Sequence, residues 1–157
     1  MTRILKRNKT IIKVFVWLLF FVYIAMMVYF LFFSEKYGKT VSDEYHYNLM
    51  PFSEIRRYIV HYDVIGFKGF MLNIVGNVAA FIPFGFCIPL LRISYRGFLN
   101  VLLDGVLFTV CIETVQLILK VGSFDVDDMI LNTLGAVIGY WCYKIVYKMY
   151  RRFDRGK

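Results

Sequence analysis

Cysteine and histidine are scarce in this chain of 157 residues, which has three cysteines and two histidines. None of Cys87, Cys111 and Cys142 has a second cysteine or a histidine at metal-ligand spacing, so the common zinc motifs are excluded. We expect all three to be buried free thiols. His46 and His61 lie outside any zinc-protease pattern, and the chain has no phosphate-binding loop and no nucleophile elbow. The hydrolase and nucleotide-binding classes that use these motifs are therefore disfavoured.

Charge is also sparse, since 19% of the residues are charged whereas 59% are hydrophobic, and the mean hydropathy is +0.59. A soluble domain is less apolar. Four apolar runs have the length that a helix needs to cross a membrane, at about residues 12–33, 69–91, 98–119 and 128–147. The sequence therefore predicts an all-α, polytopic membrane protein, a four-helix transmembrane bundle in which residues 1–157 form a single membrane domain.

The positions of the basic residues indicate an orientation. Most of the 19 lysines and arginines lie at the two termini and between the second and third apolar runs. Because Lys and Arg are retained on the cytoplasmic side, we expect both termini to be cytoplasmic. The net charge of +8 then reflects attraction to anionic lipid headgroups, and we expect no nucleic-acid partner.

Six polar side chains lie in the last three runs, where hydrocarbon cannot solvate them. The six are Asn73, Asn77, Glu113, Gln116, Asp128 and Asn132. At a rise of about 1.5 Å per residue, all fall near the external ends of their helices. Each pair within a helix is three or four residues apart and so shares one helix face. We therefore expect one external polar pocket that binds a ligand; the alternative is that the amides only join helices by hydrogen bonds.

The acidic residues leave two interpretations open. An ionised Glu113 at this depth costs about 3 kcal/mol unless it is protonated or has a partner such as Lys120, an external arginine, a cation or a substrate group. Asp125, Asp127 and Asp128 precede the fourth run, where Asp125 can cap the following helix and all three complement its positive end. Capping does not require all three, so a divalent cation or a basic ligand group near Asp127 and Glu113 is the alternative. We expect no other cofactor.

Three further features concern packing. Pro83 predicts a kink or a partial break near the middle of the second run. Gly135 and Gly139 form a small-residue stripe for close helix packing, either within one chain or between two. Asp104 and Lys144 have comparable depths near the cytoplasmic side and are expected to pair.

The connection between the first two runs predicts an external interfacial helix. Apolar residues recur there at the spacing of one helix face, with two arginines beside them. These residues are Phe52, Ile55, Ile59 and Tyr62, with Arg56 and Arg57. The helix either roofs the polar pocket or rests on the lipid headgroups.

Short motifs along the chain carry a family resemblance. They are Asn48-Leu-Met-Pro51-Phe52, Asn73-Ile-Val-Gly-Asn77, Phe81-Ile-Pro83-Phe-Gly85, Glu113-Thr-Val-Gln116, Asp125-Val-Asp127-Asp128, Asn132-Thr-Leu-Gly135 and Gly139-Tyr140. Together, over residues 48–140, they resemble the VanZ-like family of bacterial membrane proteins. The resemblance implies the bacterial cytoplasmic membrane and the cell envelope, and the founding member is associated with reduced susceptibility to the glycopeptide teicoplanin. Many members carry an arginine near the position of Gly122, for which Lys120 is the substitute here.

Two functional hypotheses follow. In the first, a non-enzymatic envelope protein surrounded by membrane lipids binds a lipid-linked envelope precursor, another amphiphile or a lipoglycopeptide. The amides of the predicted pocket then donate hydrogen bonds, and Glu113 and Asp128 orient a cationic or hydroxyl-bearing group. The alternative is a membrane enzyme that acts on a lipid-linked substrate, with Glu113 as general acid or base and Asp127 or Asp128 holding a metal or positioning water. A transporter subunit is disfavoured because no conducting path is evident, and the sequence does not set the oligomeric state.

Overall fold

The computed structural model describes residues 2–33, 44–92 and 96–155. The helices in these residues are α1 (Thr2–Phe33), α2 (Ser53–Val60), α3 (Tyr62–Phe70), α4 (Gly76–Leu91), α5 (Phe98–Leu119) and α6 (Val126–Arg155). Two short strands, β1 (His46–Asn48) and β2 (Ser123–Asp125), pair with each other, and a π-helical turn (Met71–Val75) joins α3 to α4. The predicted all-α class is confirmed.

Four helical segments of the described residues are long and apolar enough to cross a membrane. They are Lys13–Phe30, Tyr62–Leu91, Phe98–Leu119 and Val126–Phe153. The third has the predicted bounds, whereas the second and fourth extend beyond the predicted 69–91 and 128–147. The helices continue past the apolar runs because backbone hydrogen bonding persists where the side chains become polar. The four membrane helices of the prediction are confirmed.

Helices α4 and α6 run parallel and form the closest contact in the bundle. A Cβ atom at Gly135 would collide with the carbonyl oxygen of Val78, and one at Gly139 would collide with that of Ile82. These glycines therefore let the two backbones touch. The predicted small-residue stripe is confirmed, and it packs within the chain.

Two apolar clusters fill the centre of the bundle. The larger contains Phe84, Ile88, Val101, Ala136, Tyr140 and Tyr143, and the smaller contains Met27, Phe81 and Ile112. Helices α4, α5 and α6 supply most of these side chains. Helix α1 packs chiefly against α4 and buries little of its span. One side of α4 therefore faces α1 across a loosely filled space.

The two strands mark one end of the bundle, here called the sheet end. They pair in parallel, with His46 opposite Ser123 and Asn48 opposite Asp125. The predicted interfacial helix forms at this end as α2. Helix α2 ends at Val60, so Tyr62, the last apolar residue of the predicted helix face, belongs to α3 instead. The end of α4, the start of α5 and the end of α6 lie at the opposite end.

The expected pairing of Asp104 with Lys144 is wrong. Asp104 accepts from the Arg92 guanidinium at 3.1 Å, and the Lys144 ammonium lies over the ring of Tyr140, 5.6 Å from its centroid. Depth along a helix does not reveal which neighbour a side chain faces. Arg92 directly follows α4 and reaches Asp104 across the helix ends.

The expectation of buried thiols is also wrong. Cys111 and Cys142 are exposed on α5 and α6, and Cys87 is half-buried on α4. All three are free thiols, as predicted. A thiol is weakly polar, so a face turned toward lipid accommodates it as readily as a protein core does.

Of the kink or partial break expected at Pro83, the break does not occur, since α4 continues through Pro83 to Leu91, and the kink stays a prediction. The irregular backbone lies upstream, at Gly66 with φ 74° and in the π-helical turn. Beside the proline, the Tyr23 hydroxyl donates to the carbonyl oxygen of Ala80 at 2.7 Å. This carbonyl is next to that of Ala79, which lacks its helical donor because Pro83 has no N–H.

Candidate functional site

The strand pair joins distant segments at the sheet end. The Asn48 side-chain amide donates to Asp125 Oδ1 at 3.1 Å, and the same oxygen accepts from the Asp127 N–H at 2.8 Å. Asp125 therefore caps the start of α6, as expected. Burial raises the pKa of the Asp125 carboxyl, and the hydrogen bonds from Asp127 and Asn48 oppose this shift.

Asp127 caps a helix to which it does not belong. Its carboxylate accepts from the backbone N–H of Phe52, from that of Glu54 at 2.7 Å and from that of Ile55 at 3.0 Å. These are the unpaired donors at the start of α2, where a negative charge also complements the helix dipole. Asp127 is 1% exposed. Asp127 therefore fastens α2 to the bundle.

Glu113 supports the same junction from α5. One of its carboxylate oxygens accepts from the Asp125 N–H at 3.1 Å, and the residue is buried. Gln116, also buried, lies beside Gly122, where an added Cβ would stand 3.5 Å from the glutamine side chain. The Lys120 ammonium lies 4.7 Å from the centroid of the Tyr45 ring.

Asn132 lies inside the bundle between α5 and α6. Its amide group donates to the hydroxyl of Thr109 at 2.9 Å, and both residues are buried. Its carbonyl oxygen has no hydrogen-bond partner in the described residues. This interhelical bond corresponds to the alternative in which an amide joins two helices.

The other predicted residues meet at a groove between α1 and α4. The groove has a volume of about 820 Å³. Its walls are apolar side chains of both helices, including Val22, Met26 and Ala79. Its polar lining residues include Asn73, Asn77 and Asp128. The groove therefore combines a long apolar surface with polar groups at its sheet end.

These polar groups are held in place by local contacts. The Asn77 amide donates to Asp128 Oδ1, and the Asn73 amide donates to the carbonyl oxygen of Gly69 at 3.0 Å. Asn73 belongs to the π-helical turn, a feature that is frequent at functional sites. Asn73 and Asn77 line the same groove, as their spacing predicts.

A second cavity of about 400 Å³ shares Asn73 with the groove. It lies between α2 and α3, and its lining includes Arg57, Tyr58, His61 and Ile65. The Arg57 guanidinium pairs with Glu54 at 2.6 Å, and His61 Nδ1 lies 3.3 Å from the carbonyl oxygen of Arg57. The spacing and depth of the polar residues indicate no role for His61 or for the wall formed by α1.

The six predicted residues thus divide into two groups. Asn73, Asn77 and Asp128 line the groove, whereas Glu113, Gln116 and Asn132 are buried away from both cavities. No group of three or more His, Cys, Asp and Glu side chains with metal-binding geometry occurs in residues 2–33, 44–92 and 96–155. Asp125, Asp127 and Asp128 each accept hydrogen bonds within the protein.

Comparison with known proteins gives two matches. A family model described as VanZ/LLP1 matches residues 20–147. The chain is 27% identical over 131 residues to Protein VanZ of Enterococcus faecium, and the alignment covers 80% of this chain and 71% of that protein. No solved structure matches. The family match begins within α1, so it includes much of the α1 wall of the groove.

Proposed function

This chain belongs to the VanZ/LLP1 family, and from that premise we propose that it binds a membrane amphiphile in the groove between α1 and α4 without catalysing a reaction. The main support for this proposal is the shape and lining of the groove. Its volume of about 820 Å³ lies within the usual range for small-molecule sites, and its apolar walls suit a lipid chain. Asn73, Asn77 and Asp128 offer amide donors and oxygen acceptors to the polar part of the same molecule.

We place the sheet end on the outer face of the bacterial cytoplasmic membrane, with both termini in the cytoplasm. The opposite end carries Arg92 and Arg96, and the last turns of α6 carry further basic residues. This distribution agrees with retention of Lys and Arg on the cytoplasmic side. The polar end of the groove then faces the outer leaflet, where lipid-linked envelope precursors and lipoglycopeptides are accessible.

The roles of the buried carboxylates favour binding over catalysis. Asp127 accepts three backbone N–H groups, and Glu113 accepts the Asp125 N–H. A general base must instead reach the proton of a substrate. Both carboxylates lie away from the two cavities.

A groove-filling variant tests the binding site. Ala79 lines the groove and is exposed, so Ala79→Phe places a ring in the space that a lipid chain would occupy. Ala25 is an exposed alanine of α1 outside the groove lining, and Ala25→Phe is the matched control. The wild type and Ala25→Phe should copurify with lipid or bind a fluorescent lipid, and Ala79→Phe should bind it at least about tenfold more weakly. Equal binding by all three proteins would exclude the groove.

The same variants test the effect on teicoplanin in a susceptible bacterial host. We expect the wild type and Ala25→Phe to raise the inhibitory concentration of teicoplanin, and Ala79→Phe to leave it at the value of the empty vector. Membrane levels of all three proteins are compared by immunoblot. Equal inhibitory concentrations for Ala79→Phe and the wild type would separate the antibiotic effect from the groove.

A further inference from the structure

The cavity between α2 and α3 adjoins the groove at Asn73 and carries a charged residue. This cavity is called the mouth below. Arg57, Tyr58 and His61 line this cavity, and Asn73 lines both it and the groove. Arg57 brings a guanidinium, Tyr58 a hydroxyl and His61 an imidazole. Glu54 pairs with the guanidinium but does not line the cavity. The polar groups that line the mouth are therefore basic or neutral.

The depth of this mouth corresponds to the lipid headgroups. The 5-residue π-helical turn and the 16-residue α4 together rise about 31 Å, close to the thickness of about 30 Å of a hydrocarbon core. The apolar segment Tyr62–Leu91 has 30 residues and is longer than the core, so with Met71–Leu91 inside the core, α3 and α2 lie beyond it. Arg57 and His61 then stand where phosphates lie, and the apolar groove stands where acyl chains lie.

We propose that the mouth binds the phosphate of an anionic membrane lipid whose acyl chains occupy the groove. The inference rests on the proposed function and names the chemical class of its ligand. A guanidinium presents five N–H donors in a planar fork, so pairing with Glu54 leaves donors for a phosphate. Asn73 lies between headgroup and chains, at the level of the glycerol.

The polar groups deeper in the groove fit the neutral part of such a lipid. The Asn77 amide donates to Asp128. Asp128 stands on α6 and lines the groove but not the mouth. The amide groups of Asn73 and Asn77 therefore serve as donors to the ester carbonyl oxygens, Asp128 orients the Asn77 amide, and the phosphate contacts the basic residues instead.

The test compares two fluorescent lipids with identical acyl chains, phosphatidylglycerol and diacylglycerol, bound to the purified full-length chain in detergent. Arg57→Gln removes the charge that lines the mouth, and Arg56→Gln removes the adjacent, exposed charge that does not line it. The wild type and Arg56→Gln should prefer phosphatidylglycerol by about tenfold or more, and Arg57→Gln should lose that preference. Thermal unfolding of each variant checks that it is folded.

Several outcomes would overturn the inference. Equal affinities of the wild type for the two lipids would exclude recognition of phosphate. Equal losses in Arg56→Gln and Arg57→Gln would indicate general attraction to surface charge. Displacement of the lipid by millimolar inorganic phosphate would identify free phosphate as the ligand.

The proposed groove and the proposed headgroup site can be refuted independently of each other. If Ala79→Phe abolishes binding of both lipids while Arg57→Gln changes neither, the groove remains and the headgroup site is excluded. If Arg57→Gln removes the preference while Ala79→Phe binds normally, the mouth binds phosphate and the acyl chains lie elsewhere.

Discussion

Replacement of Asp127 by alanine should release α2 from the bundle without unfolding the bundle. The carboxylate accepts three backbone N–H groups, including those of Glu54 and Ile55. It also holds Phe52, whose φ of 66° lies in the left-handed region that disfavours a residue with a Cβ atom. Without this acceptor, nothing in α2 itself caps its first turn, because its N-cap position makes no side-chain hydrogen bond.

The size of the effect follows from these contacts. Loss of a helix cap costs about 0.5–2 kcal/mol, and a hydrogen bond to a charged group contributes about 1.5–3 kcal/mol. Helix α2 has no buried residue, so water replaces part of the lost bonding when α2 separates. We therefore expect a change of about 2 kcal/mol in the docking of α2, which corresponds to about 30-fold faster amide exchange where opening limits exchange.

Hydrogen–deuterium exchange with mass spectrometry measures this change in the full-length chain. Peptides that cover residues 50–57 should exchange about 30-fold faster in Asp127→Ala, and peptides from α5 should be unchanged. Asp127→Asn keeps one acceptor oxygen and should give an intermediate rate. Asp63→Ala removes an exposed carboxylate in the first turn of α3 and is the control. Unchanged exchange in Asp127→Ala would show that this carboxylate does not hold α2, and would revive its assignment as a metal ligand or a catalytic group.

The remaining predictions concern stability, measured by thermal unfolding in detergent. Gly139→Ala forces α4 and α6 apart and should lower the free energy of unfolding by about 1–3 kcal/mol. The control is Gly76→Ala, which should be nearly neutral because its added Cβ meets nothing closer than 3.6 Å. Equal effects of the two variants would refute the close contact. Thr109→Val leaves both polar atoms of the Asn132 side chain unpaired and should cost about 1–3 kcal/mol, and an unchanged midpoint would contradict this. Because burial raises the pKa of Asp125, its protonated form is favoured in the folded state, so its contribution to stability is present at low pH and lost as pH rises through the raised pKa. The stability of the wild type relative to Asp125→Asn should therefore fall as the pH rises above the ordinary aspartate pKa of 3.8, and a constant difference would refute the shift.

The sequence predicted the membrane helices because apolar runs of sufficient length have few other solutions. It also predicted the contact stripe at Gly135 and Gly139 and the cap at Asp125, which follow from local spacing. The family resemblance was confirmed by the match over residues 20–147. These features depend on neighbours along one helix or one turn, which a sequence displays directly.

The arrangement of the polar residues was only partly predictable. Spacing placed Asn73 and Asn77 together, but it did not reveal that α1 supplies the facing wall of the groove. Depth assigned Glu113 and Asn132 to the same layer, yet depth carries no information on the direction in which each helix faces. The acceptor role of Asp127 depends on a contact 75 residues away in the chain, which helix periodicity does not encode. Ligand binding by the six residues remains a prediction.

The pairing of β1 with β2 has a consequence for the biogenesis of the protein. Asn48 is synthesised 77 residues before its partner Asp125, which at about 5–20 residues per second is a delay of about 4–15 s. During that interval two membrane segments, Tyr62–Leu91 and Phe98–Leu119, are synthesised while the start of α2 still lacks its acceptor. The strand pair and the cap of α2 can therefore form only once β2 and the start of α6 have been translated. Nascent chains stalled before Ser123 should be cleaved by added protease near residues 46–55, and released full-length chains should resist it.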